Sequence, residues 1–113
     1  MGTRDVRRTE IPPGTLDMLI LKTLSRGPMH GYGIAEHIHQ MSEDVLEVEE
    51  GSLYPALQRL LIQGWVSAEW GQSANNRRAR FYRLTKAGRK QLDHELSEFQ
   101  RVIRAIGRVI QTA

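Results

Sequence analysis

The chain has 113 residues, with 16 Lys and Arg against 13 Asp and Glu, a net charge of +3 and no cysteine. That length holds one domain, or one domain with an appended element, and the missing cysteine excludes disulfides, thiolate metal sites and a cysteine nucleophile. No apolar run approaches ~18 residues, so no membrane-spanning helix is expected; the charged N-terminus lacks the apolar segment of a secretory signal, and a cytoplasmic protein is expected.

Residues 1–11 show no periodicity and read as a flexible basic arm around Arg4, Arg7 and Arg8. Pro12-Pro13-Gly14 opens a first helix, with Thr15 as its N-cap and Asp17 in its first turn, where a carboxylate suits the positive end of the helix dipole. Leu16, Leu19, Ile20 and Leu24 recur at helical spacing until Arg26-Gly27-Pro28 stops the run. A second helix is expected over residues 30–41, with Ile34, Ala35, Ile38 and Met41 on one side. Gly31 and Gly33 in its first turn point to a close approach. An acidic connection, residues 42–51, leads to a third helix capped by Ser52. Pro55 is placed in its first turn, where the missing N–H costs little. Leu53, Ala56, Leu57, Leu60 and Leu61 form its buried face, and Gln63-Gly64 ends it.

Two alternating strands follow, residues 65–70 and 79–84, joined by the turn-rich Gly71-Gln72-Ser73-Ala74-Asn75-Asn76. Thr85 then caps a last helix reaching about Ile110. Its residues Leu92, Leu96, Phe99, Ile103, Ile106 and Ile110 are spaced 4, 3, 4, 3, 4, a heptad seam with Val102 and Val109 beside it. Covering a Leu or Ile contributes roughly 1.5–3 kcal/mol, so the stripe predicts self-association through this helix.

The order α-α-α-β-β-α reads as a mostly α fold with a β-hairpin wing. Residues 12–84 are expected to form a winged helix-turn-helix DNA-binding domain, and residues 85–113 a C-terminal dimerisation helix. The charge layout agrees. Arg77, Arg78, Arg80, Arg83, Lys86, Arg89 and Lys90 fall in a stretch with no acid between Trp70 and Leu92. Glu36, Glu43, Asp44, Glu47, Glu49 and Glu50 fall in a stretch without Lys or Arg. A basic hairpin with Phe81 and Tyr82 inside it and Asn75-Asn76 before it suits nucleic acid.

Three motifs then resemble the PadR-type transcriptional regulators. These are Gly14-Thr15-Leu16-Asp17-Met18-Leu19-Ile20-Leu21-Lys22-Thr23-Leu24, then Gly27-Pro28-Met29-His30-Gly31-Tyr32-Gly33-Ile34, then Glu50-Gly51-Ser52-Leu53-Tyr54-Pro55-Ala56-Leu57. The run from Asn76 through Arg83-Leu84-Thr85 to Ala87-Gly88 is similar to that family's wing and last-helix start. The resemblance covers residues 14 to about 110 and is to the short branch with one C-terminal helix. It implies a homodimeric repressor on double-stranded operator DNA, typically an ATGT…ACAT-type inverted repeat. It also implies that the last helix packs on the partner's last and first helices, so that Leu16, Leu19, Ile20 and Leu24 serve core and interface together. Family members are commonly relieved by small aromatic or hydrophobic effectors, or by none known. Some short members hold flat drugs between tryptophans of the last helix; here that helix has only Phe99, and Trp65 and Trp70 lie in the first wing strand.

Within the third helix, Ser52, Tyr54, Pro55, Gln58 and Arg59 lie opposite the leucines. The helix start suits a phosphate at Ser52 and nearby N–H groups. Tyr54 suits a phosphate, a thymine methyl or a place on the domain surface; Gln58 suits the edge of adenine; Arg59 suits DNA or an acid of the connection such as Glu50. His30, as a cap or a phosphate contact, and Tyr32 beside it join this set. On the wing, Asn75, Asn76, Arg77, Arg78 and Arg80 are the expected backbone or minor-groove contacts. The expected interface residues are Leu16, Leu19, Ile20, Leu92, Leu96, Phe99, Val102, Ile103, Ile106 and Ile110.

His37 and His39 point about 200° apart on a helix, and His94 has no ligand partner at i+3 or i+4. No metal or cofactor is expected. No P-loop and no Gly-x-Ser-x-Gly appears, and the carboxylates cluster in a connection, so no enzyme is expected. A second reading, a winged helix that binds protein without DNA, is set apart by the basic wing and the Ser52/Tyr54/Gln58 face.

Overall fold

The computed structural model describes residues 11–12 and 14–111. Residues 1–10 of the expected basic arm lie outside them, while Ile11 packs, half-buried, against the core. Helix α1, Thr15–Leu24, begins one residue earlier than the sequence suggests. Gly14 is its N-cap at φ 85°, and Thr15 is the first helical residue rather than the cap. A side chain at Gly14 would be strained in that left-handed conformation.

Strand β1, Met29–His30, follows and joins an antiparallel sheet of order β1-β3-β2. It adds a third strand to the two that alternation predicts, because two residues are too few to show a period. Helix α2, Gly31–Met41, buries Ile34 and Ile38, while Met41, expected on the buried side, is exposed at its end. The acidic connection is pinned rather than loose. The Ser42 hydroxyl accepts from the Leu46 N–H at 3.0 Å. His39 sits between the Leu46 carbonyl, at 3.1 Å, and the Asp44 carboxylate, at 3.2 Å. Leu46 and Val48 pack on the core.

Helix α3, Glu50–Ile62, buries Leu53, Ala56, Leu57 and Leu60. It ends as Gln63-Gly64 predicts. Gly64 takes φ 78°; its N–H donates to the Leu61 carbonyl and that of Trp65 to the Leu60 carbonyl, each at 3.0 Å, the paired bonds of a Schellman end. Strands β2, Val66–Gln72, and β3, Arg78–Leu84, form the hairpin. Trp65 therefore precedes the strand in which alternation places it.

Helix α4, Lys86–Gln111, starts where Thr85 predicts. The Thr85 hydroxyl accepts from the Gly88 N–H at 3.0 Å and donates to the Gly64 carbonyl at 2.7 Å. A Cβ on Gly88 would collide with the Trp65 carbonyl, so only glycine lets α4 approach this closely. The apolar stripe of α4 then changes role along its length. Leu92 is only 4% exposed and Leu96 packs on the same core. Phe99, Val102, Ile103, Ile106, Val109 and Ile110 are exposed. Ile20 and Leu92, expected at the interface, are buried in the chain's own core, at 0% and 4% exposure. The uncovered seam starts at Phe99.

Candidate nucleic-acid interface

The outward face of α3 follows from its period. With Leu53, Ala56, Leu57 and Leu60 inside, Gly51, Ser52, Tyr54, Pro55, Gln58, Arg59 and Ile62 are left exposed. The helix starts earlier than expected, with Glu49 as its N-cap and Ser52 as its third residue. The Ser52 and Leu53 N–H groups donate to the Glu49 carbonyl at 3.0 and 2.9 Å. The Glu49 and Glu50 carboxylates also sit at this end. The Ser52 N–H is thus used within the helix, and its exposed hydroxyl is the group it offers outward. Pro55 is the sixth helical residue and not in the first turn. Its missing N–H leaves the exposed Gly51 carbonyl to solvent.

Tyr54 lies along one flank of this face. Its ring covers Gly31 at the start of α2, where a Cβ would come within 2.9 Å of the phenol oxygen. This is the close approach that the glycines predict. Burial pushes the Tyr54 phenol above its ordinary range, with Glu50 and Tyr82 adding to the shift; the group is a neutral donor at physiological pH. Gln58 sits near the middle of the face and has no partner among the described residues. On the other flank, Arg59 is turned toward α1. Its Nη2 donates to Asp17 Oδ1 at 2.8 Å, and its Nε to Oδ2 at 3.5 Å. That hydrogen bond raises the guanidinium pKa further. Arg59 thus pairs with an acid of α1 and not with Glu50 or the connection.

His30 is the N-cap of α2, its Nδ1 accepting from the Gly33 N–H at 3.0 Å. Its ring meets Phe81 edge-on at 5.4 Å. Of its two expected roles, the cap is the one it fills here. Tyr32 is 69% exposed, with its hydroxyl 3.5 Å from Glu36.

The wing is the hairpin of β2 and β3, closed at its tip by its own backbone bonds. Ser73 donates to the Arg77 carbonyl at 2.8 Å and Asn76 to the Ser73 carbonyl at 2.9 Å, with Asn76 at φ 61°. The ladder extends to Gln72↔Arg78, so the tip is shorter than residues 71–76 suggest and includes Arg77. Asn75, Asn76, Arg77, Arg78 and Arg80 are all exposed. Register sorts the cations by face. Arg80 is opposite Trp70 and Arg78 opposite Gln72, on the face that continues into the buried Tyr82 and Leu84. Arg83 is opposite Ser67 on the other face. The Arg78 guanidinium lies 4.7 Å over the Trp70 ring, and that of Arg80 lies 5.8 Å over Tyr82. The roles of Trp70 and Asp17 are ones that sequence reasoning missed. Alternation puts Trp70 in one row with Val66 and Ala68, but its cross-strand partners depend on the tip length. Among the described residues no three His, Cys, Asp or Glu gather to hold a metal, and no helix is long and apolar enough to cross a membrane.

Three helices, a short third strand on the hairpin, and a basic wing beside an exposed helix face define a winged helix-turn-helix DNA-binding protein. Residues 20–94 match the Transcriptional regulator PadR-like family, and the chain belongs to that family. Among solved structures it is similar to a transcriptional regulator from Clostridium thermocellum, at 26% identity and TM-score 0.79, covering 87% of this chain and 95% of that one. It is also similar to a PadR family transcriptional regulator from Eggerthella lenta, at 28% identity and TM-score 0.76, covering 88% and 85%. An uncharacterized protein of Lysinibacillus sphaericus is 27% identical over 95 residues, 84% of this chain and 87% of the relative. An uncharacterized 37.1 kDa protein from a Streptomyces fradiae transposon is 38% identical over 96 residues, and this chain spans only 25% of its length.

Proposed function

We propose that the chain is a homodimeric repressor that binds an inverted-repeat operator in the promoter it controls. One observation carries the DNA half of this reading. The exposed α3 face, with the unpartnered Gln58 amide, lies with Tyr54 near Tyr82 of a wing whose Arg78 and Arg80 share their face of the hairpin with no acid. Base edges are read by Gln58 with Tyr54 and Pro55 beside it. Asn75, Asn76, Arg77, Arg78 and Arg80 hold the backbone.

The dimer half is supported by the seam from Phe99 to Ile110, which no part of the described chain covers. A groove of about 420 Å³ between α1 and α4, walled by Met18, Phe99 and Val102, continues it. A second α4 fills both. Two reading heads about a two-fold axis then meet half-sites roughly one DNA turn apart, ~34 Å. The repressor role rests on the family resemblance.

The test is a gel-shift titration with the DNA upstream of the chain's own gene against a random duplex. The expected result is selective retardation at moderate salt, by a species of twice 12.9 kDa in light scattering. Equal or absent retardation of both duplexes overturns the reading.

A further inference from the structure

Four of the described arginines are held in two chemically different ways. Arg59 and Arg101 rest on carboxylates, each with an N–H···O distance of 2.8 Å, to Asp17 and Glu98. That arrangement uses the edge of the guanidinium, where its donors lie, and neutralises its charge. Arg78 and Arg80 rest on rings, at 4.7 Å from Trp70 and 5.8 Å from Tyr82. Stacking uses the face of the guanidinium and leaves the donor edge and full charge available. The one acid of the two wing strands, Glu69, is opposite Phe81 and so lies on the other face of the hairpin.

Trp70 is the odd member of this pattern. It is 59% exposed, too far out on the hairpin to serve the core as Tyr82 does. Register sets Arg80 directly across from it and Arg78 diagonally across, so one indole is flanked by both cations. An exposed tryptophan on a reading wing is otherwise an apolar cost.

We propose that Trp70 is a positioning residue for DNA binding. Its ring holds Arg78 extended along the wing, beside Arg80, with the hydrogen-bonding edge presented to a phosphate. The inference rests on the DNA-binding reading above and adds to it a residue that touches no DNA itself. An unsupported Arg side chain carries large rotamer freedom that binding must remove. A ring that has already ordered it lowers that cost without taking a donor.

The test uses the full chain and a random-sequence duplex, because phosphate binding is independent of sequence. Affinity is measured by fluorescence anisotropy over a range of salt. Trp70→Ala is expected to weaken binding about two- to fivefold per wing with the salt slope unchanged, because the number of phosphates met stays the same. Trp70→Phe, which keeps a ring, restores most of the loss. Trp70→Glu lowers the slope by about 1 per wing, since a carboxylate takes the guanidinium edge. In an Arg78→Ala background, Trp70→Ala has no further effect. Thermal unfolding of Trp70→Ala close to that of the parent separates positioning from a folding role. Binding of Trp70→Ala equal to the parent, or a loss that persists in the Arg78→Ala background, overturns the proposal while leaving DNA binding intact. A parent chain that binds no duplex at low salt overturns the DNA-binding reading itself.

Discussion

Arg59 of the reading helix and Asp17 of α1 form a side-on ion pair, 2.8 Å at its closest, across 42 residues of sequence. The pair sits on the α1 flank of the exposed α3 face and cancels a cation that would otherwise stand beside the groove. It is partly solvated, with the Arg59 side chain 58% and the Asp17 side chain 23% exposed, so its contribution to stability is expected to be modest, about 1 kcal/mol. A larger effect on DNA binding is expected. Asp17→Asn releases the guanidinium and is expected to raise affinity for random duplex and steepen the salt slope by about 1 per half-site. Arg59→Ala leaves the Asp17 carboxylate uncompensated on this flank and is expected to weaken non-specific binding modestly, less than Arg77→Ala. Anisotropy titrations over a salt series check both; a loss for Arg59→Ala as large as that for Arg77→Ala shows that Arg59 already touches DNA.

Gln58 and Arg77 are expected to fail differently. Gln58→Ala removes a base-reading amide and lowers discrimination between operator and random duplex by ~1–3 kcal/mol. Arg77→Ala weakens binding to all sequences alike and flattens the salt slope by about 1 for each phosphate the wing no longer neutralises. Paired titrations on the two duplexes distinguish the outcomes. Equal losses on both for Gln58→Ala remove it from the reading set.

The two ends of the α4 stripe predict opposite phenotypes. Ile103 is half exposed in the single chain, so Ile103→Glu is expected to give folded monomers by light scattering and circular dichroism. Leu92 is buried, so Leu92→Glu places an unpaired carboxylate in the core and is expected to cost more than about 3 kcal/mol. An unchanged dimer mass for Ile103→Glu shows that the seam does not run through this residue.

Gly88 and Gly107 lie on the same helix and answer alanine differently. At Gly88 the added methyl meets the Trp65 carbonyl, a backbone atom that cannot turn aside; a loss of about 3 kcal/mol or more is expected in urea unfolding. At Gly107 nothing lies within 4 Å, and Gly107→Ala is expected to stabilise the helix by roughly 0.5–1 kcal/mol. A drop in dimer affinity for Gly107→Ala, instead, places the partner's crossing at that residue.

Much of the fold is legible from residues alone, because its signals are local. Gly64 ending α3 and Thr85 opening α4 are decided within a few residues, and the structure has both. What stays hidden depends on distance or register. Asp17 and Arg59 are 42 residues apart, and no pattern joins them. The stacking of Arg78 on Trp70 requires the tip length, which the turn-rich run leaves open. Ser52 resembles a cap by residue type, yet the chain enters the helical conformation at Glu50. A heptad repeat runs unbroken through Leu92 and Ile103 and cannot say where the domain core stops and a partner begins.

The Thr85 hydroxyl, bonded both to the Gly64 carbonyl and to the Gly88 N–H, fastens the end of the reading helix to the beginning of α4. Gly88 pressed against Trp65 closes the same joint from the other side. With no slack at that joint, the proposed α4 pair would act as a ruler and not a tether. In that dimer the separation of the two α3 helices would be set by the crossing of the two long helices, so a shift in that crossing is expected to alter which operator spacing the dimer can span.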